Sequence, residues 1–268
     1  MKTHQEIRDW FLEQQEDREH THWHASSLGS CISGQWYERM GYKKTKEIDA
    51  KQLMIMKTGN AIETAELEPY HMLAKAGKIR IGTQEELVME SLGMMGHPDL
   101  LEYDYERITE IKSTNSRSFK YKSPVDADGN VVPEASDGHV LQTAFYMMAK
   151  GWDKGRIIYF SKDWSDLLEI PVILTVELAS RIIGIADTLN KALDEDKAPP
   201  PPEVLVYEPA LAFNKWGGAK PTPAKWKVNW QATYCDYHRH CAGEDWASKA
   251  AKDVKQLNDD GIIPDEQG

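Results

Sequence analysis

Apolar residues recur at helical spacing in several stretches of the chain. Residues 1–20 place Ile7, Trp10 and Phe11 on one side of a predicted helix and charged residues elsewhere, the amphipathic pattern of a helix that covers a core. A short helix that carries Cys31 is predicted to end at Gly41, because glycine commonly terminates helices. The same spacing predicts longer helices over Lys51–Lys75, His139–Lys150 and Val176–Leu193, and a charged helix after Glu244.

Short apolar and β-branched runs between these helices have the pattern of β-strands. Two of them, Met94–Leu101 and Ile108–Ser113, are separated by the charged run Glu102–Arg107, so together they predict a β-hairpin. Further strands are predicted at Lys78–Ile81, Glu86–Met89, Arg156–Ser161 and Leu167–Leu174.

Composition places the chain among ordinary globular proteins. It has 268 residues, of which 41% are hydrophobic and 28% charged, enough for one large core. No apolar run reaches the length of a membrane span, and the charged residues 1–20 do not have the pattern of a secretory signal. We therefore expect a cytoplasmic protein with no membrane partner. The net charge of −11 argues against a surface that binds nucleic acid without specificity.

The stretch from Gly96 to Lys112 carries the strongest candidate chemistry. Glu110 and Lys112 are two residues apart on a predicted strand, so they share a face while Ile111 points to the other side. If Asp99 faces them across the hairpin, two carboxylates and one ammonium group converge. Carboxylates bind Mg²⁺ or Mn²⁺, the cation activates water, and a lysine offsets developing charge. The alternative is a solvated hairpin held by surface ion pairs.

Two polar segments combine basic and aromatic residues. The segment after the hairpin, from Ser113 to Gly138, contains Arg117, Lys120 and Lys122. A second run, FNKWGGAKPTPAKWKVNW, ends at Trp230. Cations that meet phosphates and rings that stack on bases are typical of single-stranded nucleic-acid surfaces. A merely solvated loop is the alternative for the first segment.

Taken together, these motifs resemble the PD-(D/E)XK nuclease superfamily, and more narrowly its RecB-like exonuclease branch. That branch includes the nuclease domains of RecB and AddB, CRISPR-associated RecB-like nucleases and phage exonucleases. The resemblance covers about residues 26–241 and depends on the order of several short motifs. GNAIE matches the helix that carries a metal-binding residue, here Glu63, and GHPD supplies Asp99.

The remaining family motifs follow in the expected order. Glu110, Ile111 and Lys112 match the Glu-x-Lys motif, in which the backbone carbonyl of the middle residue also binds metal. Gln142 and Tyr146 match a Gln-x-x-x-Tyr motif that helps to place DNA. The resemblance therefore implies metal ligation by Glu63, Asp99, Glu110 and Ile111, and catalytic roles for Asp99, Glu110, Lys112, Gln142 and Tyr146.

Cysteines on both sides of this core resemble a cluster motif found in many members of the branch. Those members bind a 4Fe–4S cluster through one leading and three trailing cysteines. Cys31 fits the leading position, and Cys235 and Cys241 fit trailing positions, but His238 stands where another cysteine would be expected. A 4Fe–4S cluster with a histidine ligand, a structural Zn²⁺ site, and no metal at all are three interpretations that the sequence leaves open.

The resemblance implies an α/β fold, with a central mixed β-sheet flanked by helices as in restriction endonucleases. We expect a single nuclease domain over 1–268, with its core at about 51–200. Residues 1–50 and 203–245 would form a joint helical, cluster-bearing lid, and 246–268 a charged tail.

The implied function is a metal-dependent exonuclease that hydrolyses phosphodiesters in single-stranded DNA or at duplex ends. Recombination, repair or phage DNA processing is the implied setting, in a bacterial or phage-infected cell. A recombination protein or a second copy of the chain is the expected protein partner. The alternative function is a non-catalytic nucleic-acid-binding or assembly protein on a nuclease scaffold.

Overall fold

In this computed structural model, the main element is a five-stranded mixed sheet. The structure describes residues 21–45, 50–122, 133–201, 203–208, 224–243 and 246–260, together with Glu6 and Trp10. The sheet has the order β2-β5-β6-β7-β8. Its strands are β2 (Ile81–Gly82), β5 (Leu100–Glu102), β6 (Arg107–Thr114), β7 (Lys154–Ser161) and β8 (Leu167–Ile173).

The centre of this sheet is a parallel pair between antiparallel neighbours. Strands β6 and β7 run parallel from Arg107↔Lys154 to Thr114↔Ser161, whereas β5 pairs antiparallel with β6 and β8 antiparallel with β7. A parallel connection needs a crossover of a dozen or more residues. Here the crossover contains helix α3 (Ser116–Lys122) and helix α4 (Asp137–Lys150).

The described residues also form two smaller sheets. Strand β1 (Trp23–His24) pairs parallel with β4 (Met94–Gly96), which pairs antiparallel with β3 (Leu87–Met89). Strand β9 (Leu205–Glu208) pairs antiparallel with β10 (Lys225–Val228). Strand β1, which precedes the predicted core in the sequence, thus pairs with the strand that ends shortly before Asp99.

The helices cover the large sheet and connect its ends. They are α1 (Ile32–Arg39), α2 (Ala50–Lys75), α5 (Val176–Asp194), α6 (Trp230–Tyr234), α7 (His238–Ala242) and α8 (Trp246–Asp259), with 3-10 turns at Ala25–Ser27 and Glu90–Leu92. Helix α4 contacts β6, β7 and α5, whereas α2 contacts β6 and β2. Among the described residues, no helix combines the length and apolar character that a membrane crossing requires.

Helices α2 and α4 lie on opposite faces of the sheet, because they contact neighbouring residues of β6 whose side chains point in opposite directions. Ile111 packs with Leu67 of α2, and the neighbouring Glu110 receives a hydrogen bond from Gln142 of α4. Consecutive strand residues point to opposite faces. The larger core lies on the α4 side and includes Ile108, Phe145 and Tyr159. The prediction of an α/β fold with a central mixed sheet and flanking helices is confirmed.

Two predicted elements differ from the structure, and the position of Asp99 changes with the first of them. The strand expected at Met94–Leu101 is interrupted, since β4 ends at Gly96 and β5 begins at Leu100 in a different sheet. Asp99 therefore lies in the bend between two strands, because Pro98 has no amide hydrogen to continue a ladder. The polar segment after β6 begins with helix α3 instead of a loop.

Some predicted features fall outside the described residues. Of the helix expected over 1–20, only Glu6 and Trp10 are described, and both are helical. Most of the basic and aromatic run that ends at Trp230 also falls outside, as does the side chain of Lys120.

Candidate active site

Asp99 is fixed against the central strand by a backbone contact. Its Oδ2 atom accepts a hydrogen bond of 2.7 Å from the amide of Ile111, and Asp99 is only 6% exposed. The register pairs Leu100 with Thr109, so Asp99 lies beside Glu110 at the end of that strand pair. The convergence expected for these residues is present, although Asp99 reaches it from a bend.

Glu110 and Lys112 form a close ion pair on the α4 face of the sheet. The Lys112 Nζ atom donates to Glu110 Oε1 at 2.6 Å. Glu110 is 1% exposed, and its second oxygen, Oε2, is buried and has no hydrogen-bond partner among the residues that the structure describes. A buried carboxylate oxygen with no partner is costly, so it is the kind of atom that a bound cation or water would satisfy.

Helix α4 supplies the next layer of the site. Gln142 donates from Nε2 to Glu110 Oε1 at 2.7 Å and to Tyr146 Oη at 3.1 Å. The two residues are four apart, which places them on one helical face. Gly96 makes room for the ring, since a Cβ atom there would lie 2.7 Å from Tyr146 Cε1. The Gln-x-x-x-Tyr residues thus lie directly against the predicted Glu-x-Lys motif.

Glu63 reaches the same region from helix α2. Leu67, one turn later, packs on Leu100 and Ile111 and so directs Glu63 towards the Asp99 bend. The two carboxylates are joined by Gln84, whose Nε2 donates to Glu63 Oε1 at 2.9 Å and to Asp99 Oδ1 at 3.1 Å. All six predicted side chains, from Glu63 to Tyr146, therefore belong to one connected cluster.

The electrostatics of this cluster follow from burial and mutual repulsion. Burial raises the pKa of Glu110 to about 8, although the charge of Lys112 opposes the shift. Burial also raises the pKa of Asp99, and burial together with the Asp99 charge raises that of Glu63. Burial would lower the pKa of Lys112, but the charges of Glu110 and Asp99 outweigh it and raise that pKa. A bound cation would relieve the repulsion among the three acids.

The donor atoms suit a hard divalent cation, but other side chains of the protein already hydrogen-bond to several of them. Carboxylate and carbonyl oxygens are the ligands that Mg²⁺ and Mn²⁺ prefer, and Glu110 Oε2 is a buried oxygen for which the described residues supply no hydrogen-bond donor. In the described ranges, however, no group of three or more His, Cys, Asp or Glu side chains is positioned to hold a metal ion. Gln84 and Lys112 occupy carboxylate oxygens that such an ion would need.

The sequence reasoning missed Gln84 and the pair formed by His139 and Tyr159. Gln84 is in a short connection between β2 and β3, and nothing in the sequence distinguishes it from other polar residues of that connection. His139 Nδ1 lies 2.8 Å from Tyr159 Oη, and Tyr159 is paired with Lys112 in the sheet register. Helical spacing from Gln142 and strand register could have found this pair.

The three cysteines meet at the junction of the chain's two ends. The Cys31 thiol caps helix α1 by accepting from the Gly34 amide at 3.4 Å, and it is hydrogen-bonded to Cys235. Cys241 is hydrogen-bonded to Tyr37. His238 directs Nδ1 to the carbonyl of Cys235 at 2.7 Å. In this part of the described chain there is no fourth thiol, so the donor set does not match four-cysteine ligation of an iron–sulfur cluster.

Comparison with known proteins gives limited similarity. No family model matches the sequence, and no curated protein matches it. An alkaline exonuclease from Laribacter hongkongensis has 14% identity and a TM-score of 0.46 over 70% of this chain and 93% of its own. A phage-related exonuclease from Haemophilus somnus has 14% identity and a TM-score of 0.41 over 65% and 96%.

Proposed function

We propose that the chain is a metal-dependent nuclease of the PD-(D/E)XK type, an exonuclease acting on DNA. One observation carries the proposal: Asp99, Glu110 and Lys112 converge, and the buried Oε2 atom of Glu110 has no hydrogen-bond partner within the described part of the chain. Burying an acid without satisfying it costs free energy. A protein keeps such an arrangement when the acid binds something, and a hard cation suits a carboxylate best.

The residues of the cluster divide the work of phosphodiester hydrolysis. Glu63, Asp99, Glu110 and the Ile111 carbonyl would hold one or two Mg²⁺ or Mn²⁺ ions. Such an ion supplies Lewis-acid activation of water and of the phosphate when bound. Lys112 would stabilise the negative charge that develops on the phosphate, because its ammonium is held in a site largely shielded from solvent. Gln142 would orient Glu110, and Tyr146 would support Gln142 in that position.

The experiment that tests this proposal is degradation of end-labelled single-stranded and duplex DNA in Mg²⁺, Mn²⁺ or EDTA. We expect cleavage with either cation and none with EDTA. The variant Lys112→Ala should lose activity by roughly two orders of magnitude or more, with an unchanged circular dichroism spectrum. The matched control is Lys154→Ala, since Lys154 is exposed and pairs with Arg107 at the opposite end of the same strands.

The outcomes separate catalysis from binding. Equal rates for Lys112→Ala and wild type would remove the catalytic assignment. DNA binding without cleavage, by anaerobically purified protein, would support the alternative of a non-catalytic nucleic-acid-binding protein. The product ladder would give the direction and mode of cleavage.

We also propose that residues 1–50 and 203–245 form a joint lid. Contacts between the two segments support it: Thr45 Oγ1 donates to the Asp236 carbonyl at 2.7 Å, and Gln231 Nε2 donates to the Gly29 carbonyl at 3.3 Å. A 4Fe–4S cluster, a zinc ion and metal-free thiols are the alternatives at Cys31, Cys235 and Cys241. Iron, sulfide and zinc analysis of anaerobically purified protein distinguishes them.

A further inference from the structure

Gln84 occupies the position between two of the acids. A single Nε2 atom donates to Glu63 Oε1 at 2.9 Å and to Asp99 Oδ1 at 3.1 Å. Both acceptors are carboxylates, so only the NH₂ group of the amide can face them. With two N–H bonds directed at two acids, this group makes the contacts that a bridging cation would make.

The backbone of Gln84 is held in an uncommon conformation to reach this position. Its φ angle is +51°, a region that residues other than glycine rarely adopt. Its amide nitrogen donates to the Pro98 carbonyl at 3.1 Å, immediately before Asp99. The residue is therefore fixed at both its backbone and its side chain to the bend that carries Asp99. Strain of this kind concentrates at functional sites.

In the metal-free protein, the contact with Gln84 offsets part of the repulsion between the Glu63 and Asp99 carboxylates. Glu63 and Asp99 repel each other, and each carboxylate gains a hydrogen bond from Gln84 that favours its charged form. A neutral amide offsets this repulsion only in part, whereas a divalent cation would neutralise it. Gln84 is exposed, so its side chain can turn into solvent without disturbing the core.

We propose that Gln84 is a positioning residue that holds Glu63 and Asp99 together while no cation is present, and that its amide is displaced when a divalent cation binds. The inference rests on the proposed metal-dependent function. It accounts for an acidic cluster whose described residues offer no ready metal site. The site would open by one side-chain movement at its exposed edge.

The test is calorimetric titration of Mn²⁺ alone, without DNA, into wild type and Gln84→Ala. Because no amide has to leave, the variant should bind Mn²⁺ about tenfold more tightly, a change that corresponds to about 1.4 kcal/mol. In EDTA the same variant should melt at a lower temperature than wild type, because the repulsion of Glu63 and Asp99 is no longer offset.

Three further variants make the result specific. Gln84→Gly removes the amide and also relieves the positive φ, so agreement with Gln84→Ala assigns the effect to the amide. Gln84→Glu keeps the shape but adds a third charge, so Mn²⁺ should raise its melting temperature more than that of wild type. Asp99→Asn removes a proposed ligand and should abolish Mn²⁺ binding.

The possible results distinguish this inference from the function on which it rests. Weaker binding by Gln84→Ala would overturn the inference and make the Gln84 carbonyl oxygen a metal ligand. Unchanged binding by Gln84→Ala, with binding lost in Asp99→Asn, would overturn it while leaving the proposed metal site in place. Absence of Mn²⁺ binding in every protein would overturn both.

Discussion

Gly96 shows how one small residue determines the position of a functional side chain. It is the last residue of β4, and a Cβ atom there would lie 2.7 Å from Tyr146 Cε1 and 2.9 Å from Ala25 Cβ. Contacts that short do not occur between real side chains, so Tyr146 or the turn at Ala25 would have to move. Tyr146 in turn contacts Gln142, which contacts Glu110.

We therefore expect Gly96→Ala to be destabilising and to reduce activity. Overpacking of this kind costs roughly 1–3 kcal/mol, measured by urea-induced unfolding, and the displaced ring should lower turnover more than substrate affinity. The matched control is Gly184→Ala in helix α5, where nothing lies within 4 Å of the added Cβ. That change should raise stability by about 0.5–1 kcal/mol. A Gly96→Ala protein as stable and active as wild type would contradict the packing argument.

His139 is a neutral histidine beside two lysines. Burial lowers its pKa to about 3, with the charges of Lys112 and Lys122 acting in the same direction. Its Nδ1 atom lies 2.8 Å from Tyr159 Oη, within hydrogen-bond distance. This neutral ring adds no positive charge beside Lys112.

The depressed pKa of His139 predicts a loss of stability in mild acid. In the unfolded chain histidine titrates near pH 6.5. The contribution of neutral His139 to the free energy of unfolding is therefore complete above about pH 6.5. It is lost as the pH falls towards 3, by at most about 1.4 kcal/mol per pH unit. The variant His139→Asn retains a side chain that can hydrogen-bond to Tyr159 but does not titrate. Urea unfolding from pH 7 to 5 should therefore show a smaller loss in the variant. Identical slopes would contradict a histidine that stays neutral in the folded protein.

On the α2 face of the sheet, a polar network connects four strands and a helix. Arg156 of β7 donates to Thr109 at 2.8 Å, to Glu102 at 2.8 Å, to Glu169 at 2.8 Å and to Tyr70 at 3.0 Å. Burial would raise the pKa of Glu102, but Arg107, Thr109 and Arg156 outweigh it and lower that pKa. The network therefore fixes α2, which carries Glu63, to the sheet that carries Glu110.

Removal of Arg156 should be strongly destabilising. In Arg156→Met, the buried Glu102 carboxylate keeps its ion pair with Arg107 but loses the one with Arg156. We therefore expect the free energy of unfolding to fall by about 3 kcal/mol. The control is Arg181→Met, because Arg181 forms an exposed pair with Asp137 and such pairs contribute about 0–1 kcal/mol. Equal losses in urea unfolding would show that the network adds no more than a surface ion pair.

Contacts between distant parts of the sequence define the whole molecule. Ser33 Oγ donates to the Pro199 carbonyl at 2.9 Å, and His240 Nε2 lies 3.0 Å from the Lys43 carbonyl. Cys31 and Cys235 meet in the same region, in a small buried cluster with Tyr237. Their mutual hydrogen bond, the Cys235 thiol donating, lowers the pKa of Cys31 to about 6 and raises that of Cys235.

The hydrogen bond between the two thiols predicts that the titration of Cys31 depends on the presence of Cys235. In metal-free protein, thiolate absorbance at 240 nm should show one transition near pH 6. Cys235→Ala should move that transition upward towards the ordinary thiol value of about 8.5, since it removes the largest cause of the shift. Cys241→Ala, which leaves the pair intact, is the control. A transition near pH 6 that persists in Cys235→Ala would contradict the pairing.

Local patterns were sufficient for most elements and for the core of the candidate site. Apolar periodicity placed α2, α4 and α5 within a few residues of their observed bounds, because a side chain's face in a helix or strand depends only on spacing. The same rule put Glu110 and Lys112 on one face, with Ile111 on the other. It failed at residues 97–99, where the chain passes from one sheet to another, since that change depends on which strands become neighbours.

The sequence by itself was enough to predict the α/β class, the long helices and the approach of Glu110 and Lys112 to Asp99, but not the place of Gln84 beside Asp99. Only the tertiary structure decided that Gln84 lies between Glu63 and Asp99, that Glu110 Oε2 has no hydrogen-bond partner among the described residues, and that Cys31 meets Cys235. The physical reason is distance along the chain. Periodicity describes neighbours within one element, whereas hydrogen bonds, burial and charge coupling depend on packing between elements that no local pattern encodes.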